Sequence, residues 1–156
     1  MQPFVLKAGR ATRRGFVVQG LALLLAASLL PLRASALELS AAEWRSIREL
    51  ISLQLEALRA GDGARAFLFA TPGIQARFRD GETFLAMVRD GYSALLLARY
   101  TEFLEGVIVE ETVVQPLRLI APDNTVLVAL YTLEKQPDGR WRISGCEIRP
   151  STVQAA

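Results

Sequence analysis

Between positions 44 and 58 the apolar side chains recur every three or four residues: Trp44, Ile47, Ile51, Leu55 and Leu58, with Leu50 alongside. That spacing is one face of a helix. Ser40-Ala41-Ala42-Glu43 just before it is a capping box, and Gly61 after Ala60 supplies a residue for the left-handed cap. Asp62 caps a second, shorter helix carrying Ala66, Phe67 and Phe69, stopped by Thr71-Pro72-Gly73, and a single helical turn is expected over 74–78. A further helix is predicted over 82–90, with Phe84, Leu85 and Val88 inward and Gly91 ending it. From about Leu95 the pattern becomes strand-like. Residues 99–104 alternate loosely, and 107–120 is rich in valine and isoleucine but broken at Pro116, which marks an edge or a bulge. Ala121-Pro122-Asp123-Asn124 and Gln136-Pro137-Asp138-Gly139 are turns. Between them 125–134 is apolar on both sides, as a central strand would be. The last strand is 140–149. Trp141 and Ile143 share a face there, and if Gly145 marks a bulge Cys146 and Ile148 join it, because one extra residue flips the alternation. Helices first and an antiparallel meander afterwards predict an α+β domain.

The first 36 residues have a different character. Their charges are Lys7, Arg10, Arg13, Arg14 and Arg33, with no acid before Glu38. An apolar run at 21–30 and then Ala34-Ser35-Ala36 complete the pattern of a secretory signal, with cleavage expected after Ala36. The chain is therefore read as a signal peptide over 1–36 and one soluble domain over 37–156, periplasmic or secreted. Thr12-Arg13-Arg14-Gly15-Phe16-Val17 resembles the twin-arginine export motif. The resemblance implies a bacterial export machinery that carries folded substrates, and a signal peptidase, as partners. Ordinary secretion is the competing route. A retained anchor is the other alternative: 15–32 only just reaches the roughly 18 to 20 residues a spanning helix needs, and Gln19 and Gly20 interrupt it. Lipid attachment at the cleavage site is excluded, since the one cysteine is Cys146.

Removal of that segment changes the charge. The whole chain has 18 basic and 16 acidic residues; the first 36 hold five of the basic ones and no acid, so 13 stand against 16, a net charge of about −3. A weakly acidic domain lacks the basic face that nucleic acid requires. The chain has no histidine. That removes Ser-His-Asp and Cys-His nucleophilic sites and histidine-ligated metals, and a single cysteine permits no thiolate cluster. No clustered acids of a calcium loop, no G-x-G-x-x-G and no P-loop occur. No cofactor or metal is expected, and Cys146 reads as a small buried hydrophobe, with a reactive thiol or an intermolecular bridge as the alternatives.

Leu58-Arg59-Ala60-Gly61-Asp62, followed by Ala66, Phe69-Ala70 and Pro72, resembles the opening of the cystatin-like cone fold of nuclear transport factor two, ketosteroid isomerase and the SnoaL-type cyclases. Asp138-Gly139-Arg140-Trp141-Arg142-Ile143 resembles the closing strand of that superfamily. Over 44–149 the chain is also similar to a group of small exported proteobacterial proteins of unknown function. The resemblance implies helices closing over a curved antiparallel sheet, with an apolar pocket at the open end. The fold hosts unrelated functions, so chemistry has to be argued from the site.

Three readings follow. The first is non-catalytic binding of a small apolar or amphipathic ligand, with Phe67, Phe84, Met87, Tyr92, Leu127, Tyr131 and Trp141 as candidate lining; plain core filling is the competing reading of each. The second is an isomerase-like or cyclase-like enzyme working without a cofactor. It needs a carboxylate base and acidic donors in an apolar cavity, and Tyr131, Tyr100, Glu102 and Glu147 are the candidates. Solvated strand faces and surface ion pairs compete with each. The third is an interaction module that pairs with itself as a homodimer, or with an envelope partner, through the sheet.

Overall fold

The computed structural model describes residues 38–151. The export motif Thr12, Arg13, Arg14 and Phe16 and the cleavage residues Ala34 and Ala36 lie outside the described residues. Five helices precede five strands: α1 (Ala41–Arg59), α2 (Gly63–Phe67), α3 (Pro72–Phe78), α4 (Gly81–Gly91), α5 (Ser93–Leu97), then β1 (Tyr100–Phe103), β2 (Val107–Val109), β3 (Thr112–Ile120), β4 (Val126–Lys135) and β5 (Trp141–Pro150). All strand pairings are antiparallel, in the order β1-β3-β4-β5, with β2 also on β3. The architecture is α+β, an open sheet with helices packed against it.

Local signals place the helices. Ser40 and Glu43 form both halves of the capping box of α1. Its other end closes in a Schellman motif: Asp62 N–H donates to the Ala57 carbonyl, Gly61 N–H to the Leu58 carbonyl, and Gly61 sits at φ +73°. Asp62 and Asp80 cap α2 and α4 by accepting from the amides of Arg65 and Thr83. Ile47, Ile51 and Leu55 of α1 then pack on the alternate residues of the sheet: Val113, Leu117 and Leu119 of β3, and Ala129 and Leu133 of β4. A second apolar cluster joins Ala57 and Leu58 to Ala66 of α2 and to Phe84, Leu85 and Val88 of α4. The other alternate residues, Val114, Ile120, Val128 and Leu130 among them, are only half-buried.

Three elements differ from the expected pattern. Residues 93–97, where strand was expected to begin, form the short helix α5, pinned by the buried Leu95. Residues 72–78 form a seven-residue helix instead of a single turn. The run 107–120 is a hairpin, β2 and β3, turning at Glu110 and Glu111 with φ of 47° and 66°. Two successive positive φ values belong to the turn that normally shows as Asn-Gly, so two glutamates there give no warning. Pro116 occupies an effective edge within β3. β1 ends opposite Leu117 and β2 begins opposite Val114, which leaves a gap beside Gln115 and Pro116. The Pro116 carbonyl accepts from Leu104 N–H on that side, so the proline nitrogen also faces the gap and costs no ladder bond. Fully buried Gln115 fills it, donating to the Leu104 and Pro116 carbonyls and accepting from Arg48 Nε.

In β5 the register shifts between Thr132, opposite Gly145, and Leu133, opposite Ile143, so Ser144 is the extra residue. Ile143, Cys146 and Ile148 therefore share one face, paired with Leu133, Tyr131 and Ala129. The outer edge of β5 is partly covered: Thr71 N–H donates to the Ile143 carbonyl and Ile143 N–H to the Phe69 carbonyl.

Candidate functional site

Between the helices and the inner end of β4 and β5 lies a cavity of about 420 Å³. Gln54 and Leu58 of α1 form one wall, and Phe84, Met87 and Val88 of α4 another. Ile74, Arg77 and Phe78 of α3 stand at its rim, and its floor is Tyr131 with Ile143 and Cys146. The bulge at Ser144 builds that floor. Without the extra residue, Ile143 and Cys146 would point to opposite faces of β5.

Tyr131 is 1% exposed, and its hydroxyl has no hydrogen-bond partner in the protein. Burial raises its pKa well above the ordinary 10, and neighbouring Cys146 adds to the shift, while the Arg59 charge opposes it. Burial likewise pushes the Cys146 thiol up to about 12. The phenol and the thiol are near enough across the strand pair to shift each other, Tyr131 lowering the thiol against its burial, although the phenol oxygen lacks the geometry of a formed hydrogen bond. At neutral pH both are uncharged, so the phenol keeps its proton. Gln54, 3% exposed, directs its Nε2 to the Ala66 carbonyl.

Four residues read from sequence as lining meet here: Phe84, Met87, Tyr92 and Tyr131. Phe67 stands behind the wall, its ring centroid 5.3 Å from that of Phe84. Leu127 is at the far end of β4, opposite Leu119 and Pro150, packed against the main core. Trp141 lines a separate surface depression beside Glu43, with Lys135 Nζ 5.7 Å from its ring centroid. Of the candidates for proton chemistry, only Tyr131 is in the cavity. Glu102 pairs with Arg118 at 2.6 Å across β1 and β3. Glu147 is exposed and bonded to Arg149 at 2.7 Å, which holds its carboxyl below the usual range. Tyr100 is exposed. Sequence reasoning missed Gln54 and Arg77. Gln54 was legible in principle, being a polar residue on the apolar face three positions after Ile51. Arg77 was not, because the helix that carries it had read as a single turn.

Residues 40–156 match the model of a family described as a domain of unknown function, DUF4864. The chain belongs to that family. No curated protein matches it. Among solved structures it is similar to one from Catenulispora acidiphila, a complex with S-DNPA, at 16% identity and a TM-score of 0.42, covering 70% of this chain and 93% of that one.

Among the described residues, no aspartate or glutamate lines the cavity of this DUF4864 domain. Isomerase chemistry of the kind considered above needs a carboxylate base beside the substrate. Among the described residues, no three His, Cys, Asp or Glu side chains are grouped to hold a metal ion.

Proposed function

We propose that the domain binds a small, largely apolar ligand in the cavity and holds it by one hydrogen bond from Tyr131. The observation that carries this is the fully buried, unpartnered phenol at the floor of an apolar cavity. Leaving a buried donor without a partner costs about 1–3 kcal/mol, so a ligand oxygen placed there recovers a term that the protein alone does not. The volume suits a small organic molecule, within the roughly 300–1,000 Å³ of typical ligand sites. Helices over one face of an antiparallel sheet, with the cavity between them, support a cystatin-like cone. The basic n-region, apolar run and Ala34-Ser35-Ala36 support export and removal of 1–36, so that the domain works in the periplasm or outside the cell.

Expression of the whole chain in a host with a working twin-arginine system tests both statements. A denatured mass from the envelope fraction should correspond to a chain starting at Leu37; the uncleaved mass would overturn cleavage. The native spectrum should show added mass that is lost on denaturation. A bare chain, still bare after incubation with cell lipid extract, overturns ligand binding.

One further observation favours self-association as a second role. Tyr100, Val107 and Val109 are exposed large apolar residues, and all belong to the strands β1 and β2. They adjoin the half-buried row of Val114, Ile120, Val128 and Leu130; the Glu102–Arg118 and Glu147–Arg149 ion pairs lie on the same face, so it offers a second copy of the chain apolar patches set among ion pairs.

A further inference from the structure

We propose that the ligand is an amphiphile with one anionic group, received by Arg77 at the mouth of the cavity; this rests on the ligand-binding reading above. The cavity has polarity along its depth. At the floor the one unpartnered group is a neutral donor, Tyr131. The walls are apolar: Leu58, Ile74, Phe78, Phe84, Met87 and Val88. Gln54 directs its amide to the backbone of α2. At the rim stands a single cation, the exposed Arg77, whose guanidinium carbon lies 5.7 Å from the Phe78 ring centroid. Phe78 in turn packs edge-on against Phe84, at 5.8 Å between centroids. The aromatic wall thus runs up to the arginine and carries it.

Among the described residues no acid in the lining offsets that charge, and the other cation felt in the cavity, Arg59, acts on Tyr131 while its Nε donates to the Leu95 carbonyl. The ion pairs among the described residues engage Arg65, Arg118, Lys135, Arg140 and Arg149, and Arg77 has no acidic partner. Among the described residues no carboxylate lines the cavity, so a cationic head group at the rim would meet the Arg77 charge with no acid to balance it. A carboxylate, sulfonate or phosphate at the rim would find a guanidinium able to bond it at two points, with the adjoining apolar body against the Phe78 and Phe84 rings. An arginine at an apolar rim is suited to this because it stacks on an aromatic face while its N–H edges stay open.

The test is calorimetric titration of the protein recovered from the envelope fraction with decanoate, decanol and decylammonium. Decanoate should bind about tenfold more tightly than decanol, and decylammonium more weakly than either. Arg77→Gln should lower decanoate affinity about tenfold and leave decanol within twofold; Arg77→Lys should restore part of the loss. Raised salt should weaken decanoate alone. Equal binding of decanoate and decanol, with both untouched by Arg77→Gln, overturns the anionic group while the cavity reading stands. Tighter binding of decylammonium overturns it too. If none of the three binds, the ligand-binding reading falls with it. Arg77 is exposed, so its variants test the charge with little risk to folding.

Discussion

Tyr131 and Cys146 face each other across β4 and β5, and burial holds both in their neutral forms. For an acid whose pKa rises on folding, the unfolded chain loses its proton first. The stability this contributes is therefore full below the unfolded pKa of Cys146, 9.0, and is lost as pH climbs towards the folded value of about 12. Urea melts between pH 8 and 12 should show a falling midpoint, and Cys146→Ala should flatten the decline; an equally steep fall in that variant would remove Cys146 from the account. Tyr131→Phe takes away a hydroxyl with no protein partner. Its unliganded stability should hold or rise, by up to about 1–3 kcal/mol, while native mass spectra lose the bound ligand. A loss of several kcal/mol would instead give the hydroxyl a structural role.

At the scale of elements, the cavity depends on how closely α2 and α4 approach. A Cβ on Gly63 would lie 2.2 Å from the Gly81 carbonyl oxygen, and one on Gly81 would lie 2.6 Å from the Ala64 backbone. Two glycines are what allow the helices to touch backbone to backbone. Gly63→Ala should cost about 1–3 kcal/mol, read as a lowered melting temperature, because rigid backbone on both sides leaves no side chain to give way. An unchanged melting curve would mean that α4 can slide. Ligand binding should weaken too, since α4 carries Phe84, Met87 and Val88. The helix caps were legible because Ser40-Glu43, Asp62 and Gly61 act within a few residues of themselves. α5 was not, since Ala94-Leu95-Leu96-Leu97 is a continuous apolar run that fits strand or helix alike. Leu95 settles as helix because it packs into a core made by α1 and three strands.

For the whole molecule, the two faces of the sheet have different fates. One is covered by α1. The other presents Tyr100, Val107 and Val109 at 53%, 44% and 55% exposure. If that face joins two copies, light scattering on size-exclusion peaks should give twice the chain mass. Val109→Glu should give single-chain mass with an unchanged helical spectrum, because its side chain lies outside the core. A wild-type protein of single-chain mass at high micromolar concentration sinks the dimer.

Some of this protein follows from the sequence alone. Helix caps, the turn at Pro137-Asp138-Gly139 and the apolar run of β4 involve neighbours in the chain, so local chemistry decides them, and Gly145 marks the bulge to within one residue of its extra residue Ser144. The absence of histidine is equally local, and it excludes whole classes of mechanism without any fold. What the tertiary structure decided is which residues meet. Tyr131, Glu102 and Glu147 were comparable candidates along the strands. Folding buried the first without a partner and left the two acids in partly or wholly exposed ion pairs. Residues 58, 77, 84 and 131 form one cavity only because α1, α3 and α4 close over a particular end of the sheet. Distances of that kind are set by packing between segments far apart in the chain, and no local spacing encodes them.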